Sequence, residues 1–369
     1  MHNNIFIPWA KPTFWGNEQD YVVEALNSTW ISGGPFVERF EKDFSKYTGS
    51  PFALTNSNGT TAIHLAYLAL GLKPGDEVII PGFGFLAAAN LALQFGAKPI
   101  FAEVDPETWL VTAQEIKKCL SPKTKIIVPI HSYGNVCEMD KILELAHNHN
   151  IPVVEDAAEA FASQYKGYQS GTVGTIGTFS FQATKIITTG EGGMTVTANE
   201  ELYNRMALYR SHGMLRKTYY WHELPGHNFR LTNLQAALGC AQLEKLDHII
   251  RERNRVYSHY KKYLFNIYGI TPQYISPNVE PVLWAMAIKL DTRAYPQGRD
   301  EVIKQLAHLN IETRPGFYSP SFMDFYPCPK LPICEEISKQ VISLPTFPSL
   351  KNDEIEYICN SLINLQRDS

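Results

Sequence analysis

The chain of 369 residues has few charged side chains: they make up 19% of it, against 44% hydrophobic and 12% aromatic residues. This composition excludes an intrinsically disordered chain, because disorder requires low hydrophobicity and many charges. Basic residues are not in excess, since 33 Lys and Arg stand against 37 Asp and Glu, for a net charge of −4. A binder of nucleic-acid polymers usually presents a strongly basic face. We therefore expect no such partner.

Long apolar runs and paired cysteines are also missing. No stretch approaches 18 consecutive apolar residues, so we expect no membrane partner. The first residues have neither the basic nor the apolar region of a secretion signal. Six cysteines are scattered without a CxxC pair or a zinc-ribbon spacing. These absences predict a cytoplasmic protein with reduced thiols and no metal site.

A pair of histidines imitates a zinc-protease motif. His222 and His227 stand at i and i+5 and are separated by Pro225-Gly226. Two metal ligands on one helical face need a spacing of i and i+4. The pair therefore does not change the expectation that metal is absent.

Short apolar segments typical of buried strands alternate with helical patterns in the first 250 residues. Residues 77–81 and 125–130 are two such strands, and residues 138–148 have the 3.6-residue period of a helix. The alternation predicts an α/β fold with a mostly parallel sheet, whose ligands gather at the carboxyl ends of the strands. Residues 234–265 have the pattern of one long helix. Shorter, proline-rich elements follow it, so we predict a large domain over 1–250 and a smaller one over 251–369.

The most informative positions are an acid that ends an apolar strand, Asp156, and a later lysine, Lys185. Lys185 stands among serines and threonines and before the glycine-rich run 190–193. Such a lysine suits a Schiff-base amine that must reach a cofactor and later move aside. Pyridoxal phosphate (PLP) needs this amine, an acid at its pyridine nitrogen and a phosphate site. Ser57-Asn-Gly-Thr60, at a predicted helix N-terminus, supplies N–H groups for an anion.

Each of these features alone has an ordinary structural explanation. An Asp after a strand is commonly a cap or turn residue, a loop lysine is usually solvated, and Asn-Gly-Thr before a helix is most often a capping turn. Their occurrence together, in this order on an α/β frame, favours the cofactor site.

The sequence resembles the DegT/DnrJ/EryC1/StrS family of PLP-dependent sugar aminotransferases almost from end to end. The resemblance implies a type I, aspartate-aminotransferase-like fold, with a mostly parallel mixed seven-stranded sheet flanked by helices and a smaller C-terminal α+β domain. It also implies PLP as cofactor, with pyridoxamine phosphate (PMP) as its intermediate form. The motifs that carry the resemblance are Trp30-Ile-Ser-Gly-Gly-Pro35, Ser57-Asn-Gly-Thr60, Gly75-Asp-Glu-Val78, Gly96-Ala-Lys-Pro99, Glu155-Asp-Ala-Ala158, Ser180-Phe181 with Lys185, Gly190-Glu-Gly-Gly193, Asn228-Phe-Arg-Leu-Thr-Asn233 and Ile311-Glu-Thr-Arg-Pro315.

The resemblance implies a role for each cofactor-side residue. Lys185 would bind the cofactor and move the proton between Cα and C4′, and Asp156 would pair with the pyridinium nitrogen. Glu159, which is Gln in many relatives, would approach the 3′-hydroxyl, and Phe85 would stack on the ring. The phosphate would be held by the turn with its following helix and by one hydroxyl, that is, by Ser57, Asn58, Gly59, Thr60 and Ser180.

Two further implications concern the partner subunit and the substrate. Asn228 would reach the phosphate from the other subunit, which implies a homodimer with shared active sites. Trp221, His222, Arg230 and Arg314 are candidates for binding the nucleotide sugar or the α-carboxylate of glutamate.

The expected reaction moves the amino group of L-glutamate to a nucleotide-linked 4-keto-6-deoxy sugar for surface polysaccharide. Lysine at 185 favours amino transfer, because some dehydrating relatives carry histidine there. The motifs around Trp221, Asn228 and Arg314 favour GDP-4-keto-6-deoxymannose. The absence of a histidine from residues 316–322 leaves open a dTDP- or UDP-linked sugar aminated at C3 or C4, or a small phosphorylated ketone. A non-catalytic regulatory protein of the same fold is a remote alternative.

Overall fold

The computed structural model describes residues 6–214, 218 and 220–366 of the chain. Within these residues the α-helices, in chain order, are α1 (Glu18–Asn27), α2 (Pro35–Thr48), α3 (Gly59–Ala69), α4 (Ala87–Gln94), α5 (Ala113–Cys119), α6 (Met139–Asn148), α7 (Glu200–Arg210), α8 (Asn233–Glu244), α9 (Leu246–Leu264), α10 (Arg299–His308), α11 (Pro332–Gln340) and α12 (Asn352–Ile363). The strands are β1 (Phe52–Asn56), β2 (Glu77–Pro81), β3 (Lys98–Ala102), β4 (Thr124–Ile127), β5 (Val154–Asp156), β6 (Gln164–Tyr165), β7 (Tyr168–Gln169), β8 (Ile176–Ser180), β9 (Gly193–Thr197), β10 (Ile270–Pro272), β11 (Val279–Glu280), β12 (Met286–Leu290), β13 (Arg314–Pro315) and β14 (Val341–Leu344).

In the described part of the chain, seven strands form one layer that consists of a four-stranded sheet, β1-β9-β8-β5, and a three-stranded sheet, β4-β2-β3, beside it. Single parallel bridges, Ile127 to Val153 and Ile130 to Asp156, join β4 to β5. Strand β9 runs antiparallel to both of its neighbours, and the other pairings are parallel. The predicted mostly parallel, mixed seven-stranded sheet is therefore confirmed. Helices cover both faces of such a sheet, which is why its strands are continuous apolar runs.

The C-terminal part has its own antiparallel sheet, in the order β10-β12-β14-β13, and its own hydrophobic core. Helix α9 runs through both cores: Leu246 packs in the core of the large sheet and Val256 in the C-terminal core. Ile7, near the N-terminus, pairs with Ile311 and also packs in the C-terminal core. The division at residue 250 stays a prediction, and that position lies inside α9.

The single long helix predicted over residues 234–265 is two helices. Helix α8 ends at Glu244 and α9 begins at Leu246, and Lys245 between them departs from helical geometry with φ −99° and ψ 7°. The sequence has no proline or glycine at this break. Packing decides it, because α8 lies against α1 and α2 whereas α9 turns toward the C-terminal core. A helix with the length and apolarity needed to cross a bilayer is absent from the described ranges.

Candidate active site

A cleft of about 960 Å³ opens where β5 and β8 end, beside the N-terminus of α3, and reaches the C-terminal strands β13 and β14. Its position follows from the sheet: β5 and β8 are parallel, so Asp156 and Ser180 end at the same edge. Nine of the residues expected at the site line this cleft: Asn58, Gly59, Thr60, Phe85, Asp156, Glu159, Ser180, Lys185 and Arg314.

Lys185 lies in the segment between β8 and β9, and only 13% of its side chain is exposed. Its Nζ is 3.7 Å from Oε1 of Glu159 and 3.9 Å from the ring centroid of Trp284. Burial lowers the pKa of Lys185, and the carboxylates of Glu159 and Asp156 oppose that shift. A lowered pKa increases the fraction of neutral amine, which is the nucleophilic form.

Asp156 is almost completely buried at the end of β5. Its main chain extends the pairing with the strand beside it, because its N–H donates to Pro129 O and its C=O accepts from His131 N. One side-chain oxygen, Oδ1, accepts the N–H of Ala158 at 3.1 Å. Burial raises the pKa of this carboxyl, against the opposing effects of that N–H, of Lys185 and of His131. A buried carboxylate so placed suits a cationic partner such as a protonated pyridine nitrogen.

Glu159 is the second buried carboxyl of the cleft, and its Oε2 accepts the N–H of Tyr133 at 3.0 Å. Burial raises the pKa of Glu159 to about 7, although Lys185 opposes the shift. Tyr133 directs its N–H from a left-handed conformation (φ 64°), which is strained for a residue with a side chain. Stacking on Trp284 and Phe317 holds its ring in place. Burial therefore favours the neutral form of Glu159 over its carboxylate more than water does.

The N-terminus of α3 supplies an anion site. The side chain of Asn58 caps the helix by accepting the N–H of Thr61 at 2.8 Å. The first N–H groups of a helix have no acceptor within it, and those of Gly59 and Thr60 border the cleft. A Cβ on Gly59 would lie 2.9 Å from Cβ of Ser180, so the serine hydroxyl adjoins these amides. The positive end of the helix and this hydroxyl together suit a phosphate.

The cleft fits pyridoxal phosphate. An amine, a buried acid and an anion site face one space, and the ring of Phe85, 60% exposed, stands on its wall. No group of three or more His, Cys, Asp or Glu side chains placed for a metal ion occurs among the described residues.

Ser57 is not part of the cleft wall. Its hydroxyl pairs with that of Thr61 at 3.1 Å, and its N–H donates to Phe229 O. Its expected contact with phosphate therefore stays a prediction. Within this chain, the hydrogen bonds of Ser57 stabilise the turn that contains Asn58.

Four other expected residues, all between 221 and 230, also lie outside the cleft. Asn228 accepts a hydrogen bond from Nε of Arg230 at 3.0 Å, and Arg230 lines a separate cavity of about 430 Å³. Trp221 is exposed and donates to Glu223, and His222 bonds to the main chain of residue 212. Their contacts with cofactor or substrate stay predictions.

The sequence analysis missed the aromatic residues that close the cleft, Trp9, Tyr133, Trp284 and Phe317. Trp9 donates from Nε1 to Ser343 and packs edge-on against Trp284 with ring centroids 5.3 Å apart. These residues come from four distant segments, and no motif surrounds Trp9 or Trp284. Only Phe317 had a sequence signal, because it follows the motif that ends at Pro315.

Comparisons with known proteins agree with this site. The model of the DegT/DnrJ/EryC1/StrS aminotransferase family matches residues 13–363. The chain is 42% identical to a GDP-perosamine synthase of Escherichia coli O157:H7, over 98% of this chain and 99% of that one. It is 41% identical to a GDP-perosamine synthase of Caulobacter vibrioides, over 96% of each. A chain of Streptococcus pneumoniae named as a sugar aminotransferase and solved in its PMP form superposes with a TM-score of 0.91, at 25% identity over 98% of both chains. This protein therefore belongs to the DegT/DnrJ/EryC1/StrS aminotransferase family, and it has the PLP-dependent fold that its cleft indicates.

Proposed function

We propose that this protein transfers the amino group of L-glutamate to C4 of GDP-4-keto-6-deoxymannose and so forms GDP-perosamine for a surface polysaccharide. The assignment of amino transfer rests on the cleft. There Nζ of Lys185 lies close to Glu159 and Trp284, and Asp156 and an anion site line the same space. The choice of sugar is supported by two GDP-perosamine synthases that match almost the whole chain.

The residues of the cleft divide the chemistry between them. When bound, pyridoxal phosphate supplies the electron sink for bond changes at the α-carbon of the amino acid. Lys185 would hold the cofactor through Nζ and, once released, move a proton at that carbon as base and acid. Asp156 would keep the ring nitrogen protonated, because a buried carboxylate stabilises a cation beside it. Glu159 would contact the 3′-hydroxyl, and Phe85 would cover one face of the ring.

Two groups of atoms would bind the anionic parts. The amides of Gly59 and Thr60, with the Ser180 hydroxyl, would hold the cofactor phosphate. Arg314 lines the opposite side of the cleft, where its guanidinium lies 5.8 Å from the ring centroid of Trp9. There it would bind the diphosphate of the sugar nucleotide or the α-carboxylate of glutamate.

A homodimer with shared sites is part of this proposal. Asn228 and Arg230 lie outside the cleft of their own chain, although their motif is expected at a cofactor phosphate. Two aromatic side chains, Trp30 in the motif of residues 30–35 and Tyr220 beside Trp221, are 66% and 88% exposed. A second subunit that received Asn228 at its cleft would account for both observations. The cytoplasmic location stays a prediction from the sequence.

The proposal is tested by a panel of keto sugars. Purified protein is incubated with L-glutamate and GDP-, dTDP- or UDP-linked 4-keto-6-deoxy sugars, and 2-oxoglutarate and the amino sugar are measured by mass spectrometry. GDP-4-keto-6-deoxymannose should have the highest kcat/KM, and a Lys185→Ala control should form neither product.

The outcomes separate the reaction from the substrate. Turnover of only a dTDP- or UDP-linked sugar, or of a small phosphorylated ketone, would replace the sugar and keep the amino transfer. A protein that neither binds PLP nor turns over any member of the panel would overturn the enzymatic assignment and leave the regulatory alternative.

A further inference from the structure

The buried face of helix α9 carries one charged residue among apolar ones. Leu246 and Ile249 pack in the core of the large sheet, and Val256 and Tyr260 in the C-terminal core. Arg253 lies between these pairs and is only 4% exposed. A charged residue therefore stands where the two cores meet, at a position where the helical pattern calls for an apolar side chain.

The guanidinium of Arg253 bonds to main-chain carbonyl oxygens on both sides of this junction. Its Nη1 donates to the carbonyl oxygens of Leu283 at 3.2 Å and Trp284 at 3.1 Å, and its Nη2 donates to that of Lys185 at 3.3 Å. Burial lowers the pKa of Arg253 to about 10. Burying a cation among neutral carbonyl groups is costly, so stability alone does not explain the arginine.

Trp284 holds the same lysine from the other end. Its indole Nε1 donates to Thr184 O at 2.9 Å, which fixes the residue before Lys185. Its ring face lies 3.9 Å from Nζ, within the range of a cation–π contact. Arg253 and Trp284 thus both bond to the main chain around Lys185, and Trp284 also contacts its amine.

We propose that Arg253 and Trp284 are positioning residues that hold Lys185, by its main chain and by its amine, at the point where it meets the cofactor. Both residues link the lysine segment to the C-terminal part of the chain, so the amine is placed by both cores together. This inference rests on the assignment of Lys185 as the cofactor-binding amine.

The test measures the proton affinity of the Lys185 amine directly. The full chain, freed of cofactor, is acetylated at a series of pH values, and the modification of the Lys185 peptide is read by mass spectrometry. Trp284→Leu removes the contact that stabilises the ammonium, so the proton affinity of the Lys185 amine should fall two- to thirtyfold. Trp284→Phe keeps a ring, so the proton affinity should fall less in that variant.

The Arg253 variants should shift the pKa in the opposite direction. Arg253→Met releases the lysine segment toward water, so the pKa of Lys185 should rise toward its ordinary value. Arg253→Lys should give a smaller rise.

Arg299 provides a matched control. It is also 4% exposed and donates to main-chain carbonyl oxygens, but these belong to Ser338 and Val341 and not to the segment around Lys185. Arg299→Gln should destabilise the protein and leave the pKa of Lys185 unchanged. In the loaded enzyme, Arg253→Lys should lower kcat about tenfold or more and leave the KM of the sugar unchanged.

A failure of the positioning inference can be distinguished from a failure of the assignment of Lys185. If the Arg253 and Trp284 variants change the labelling of Lys185 no more than Arg299→Gln does, the two residues are structural and the inference is wrong. If borohydride reduction of the wild type with PLP leaves Lys185 unmodified, the assignment of Lys185 itself fails.

Discussion

The floor of the cleft and the segment from residue 220 to 230 carry residues predicted from motifs of similar quality, yet their positions in the structure differ. On the floor, Asp156 and Glu159 are buried, Lys185 is mostly buried, and all three face one space. In the segment, Trp221, His222 and the Asn228 motif lie outside the cleft of their own chain. One chain thus assembles the floor, because the ends of its strands and the N-terminus of a helix bring the floor residues together. The segment has its contacts at the surface, where a second chain can reach them.

The largest expected effect comes from removing the amine of the floor. Lys185→Ala should abolish the visible absorbance of the lysine-bound cofactor and lower amino transfer by at least about 10³-fold, because the group that moves the proton is lost. Lys141→Ala is the control, since that lysine is exposed on α6 and pairs with Glu138. Spectra and turnover with PLP measure both. A Lys185→Ala protein that retains the absorbance would contradict the assignment.

The next prediction distinguishes the roles of two adjacent carboxylates, those of Asp156 and Glu155. Asp156→Asn should lower turnover about 10²–10³-fold, because the proposed partner of the ring nitrogen would lose its charge. It should cost little folding stability, because the substitution also removes a buried charge. Glu155→Gln should do the reverse. Its carboxylate faces away from the cleft, accepts the N–H groups of Gly171 and Val173 and pairs with His131, so its loss should cost about 3 kcal/mol. Turnover and urea unfolding measure the two variants. If the two variants changed turnover and folding stability equally, the proposed difference between Asp156 and Glu155 would be wrong.

A smaller effect concerns the pH dependence of stability. The pKa of Glu159 is about 7 in the folded chain and near 4.5 when exposed, so folding favours its protonated form. The resulting stability is fully present below pH 4.5 and is lost as the pH rises through about 7. Glu159→Gln imitates the neutral form and should exceed the wild type in stability above pH 7 by roughly 1–3 kcal/mol. Urea unfolding of the cofactor-free chain at pH 5 and pH 8 checks this, and a difference that does not change with pH would refute it.

The smallest effect tests the outer segment. Asn228→Ala should weaken PLP retention about tenfold, as expected for one hydrogen bond to a charged group, and leave the fold intact. The decisive experiment mixes the Asn228→Ala protein with the Lys185→Ala protein, so that hybrid dimers form. If sites are shared, a hybrid dimer contains one site with both an intact Lys185 and an intact Asn228, so PLP affinity returns at that site. A hybrid with no better affinity than Asn228→Ala alone would show that each chain builds its own site.

The residues of the floor could be expected near one another from the sequence because they occupy places that local rules define. Asp156 ends a strand, Gly59 and Thr60 begin a helix, and the glycines around 190–193 mark a tight turn. The break at Lys245 was not predictable, since no proline or glycine marks it. Trp284 and Arg253 were missed for a similar reason: their contacts join segments that are far apart in the chain.

The sequence by itself determined the sheet and the residues at the ends of its strands and the starts of its helices, because the period of apolar residues and the helix-start chemistry are local properties. The tertiary structure decided which groups meet. It placed the amine of Lys185 3.7 Å from Glu159 and 3.9 Å from the ring of Trp284 and removed most of its contact with water. Burial moves the pKa of Lys185 down and that of Glu159 up. Such shifts depend on the removal of water by packing from several segments, which the pattern along the chain does not contain.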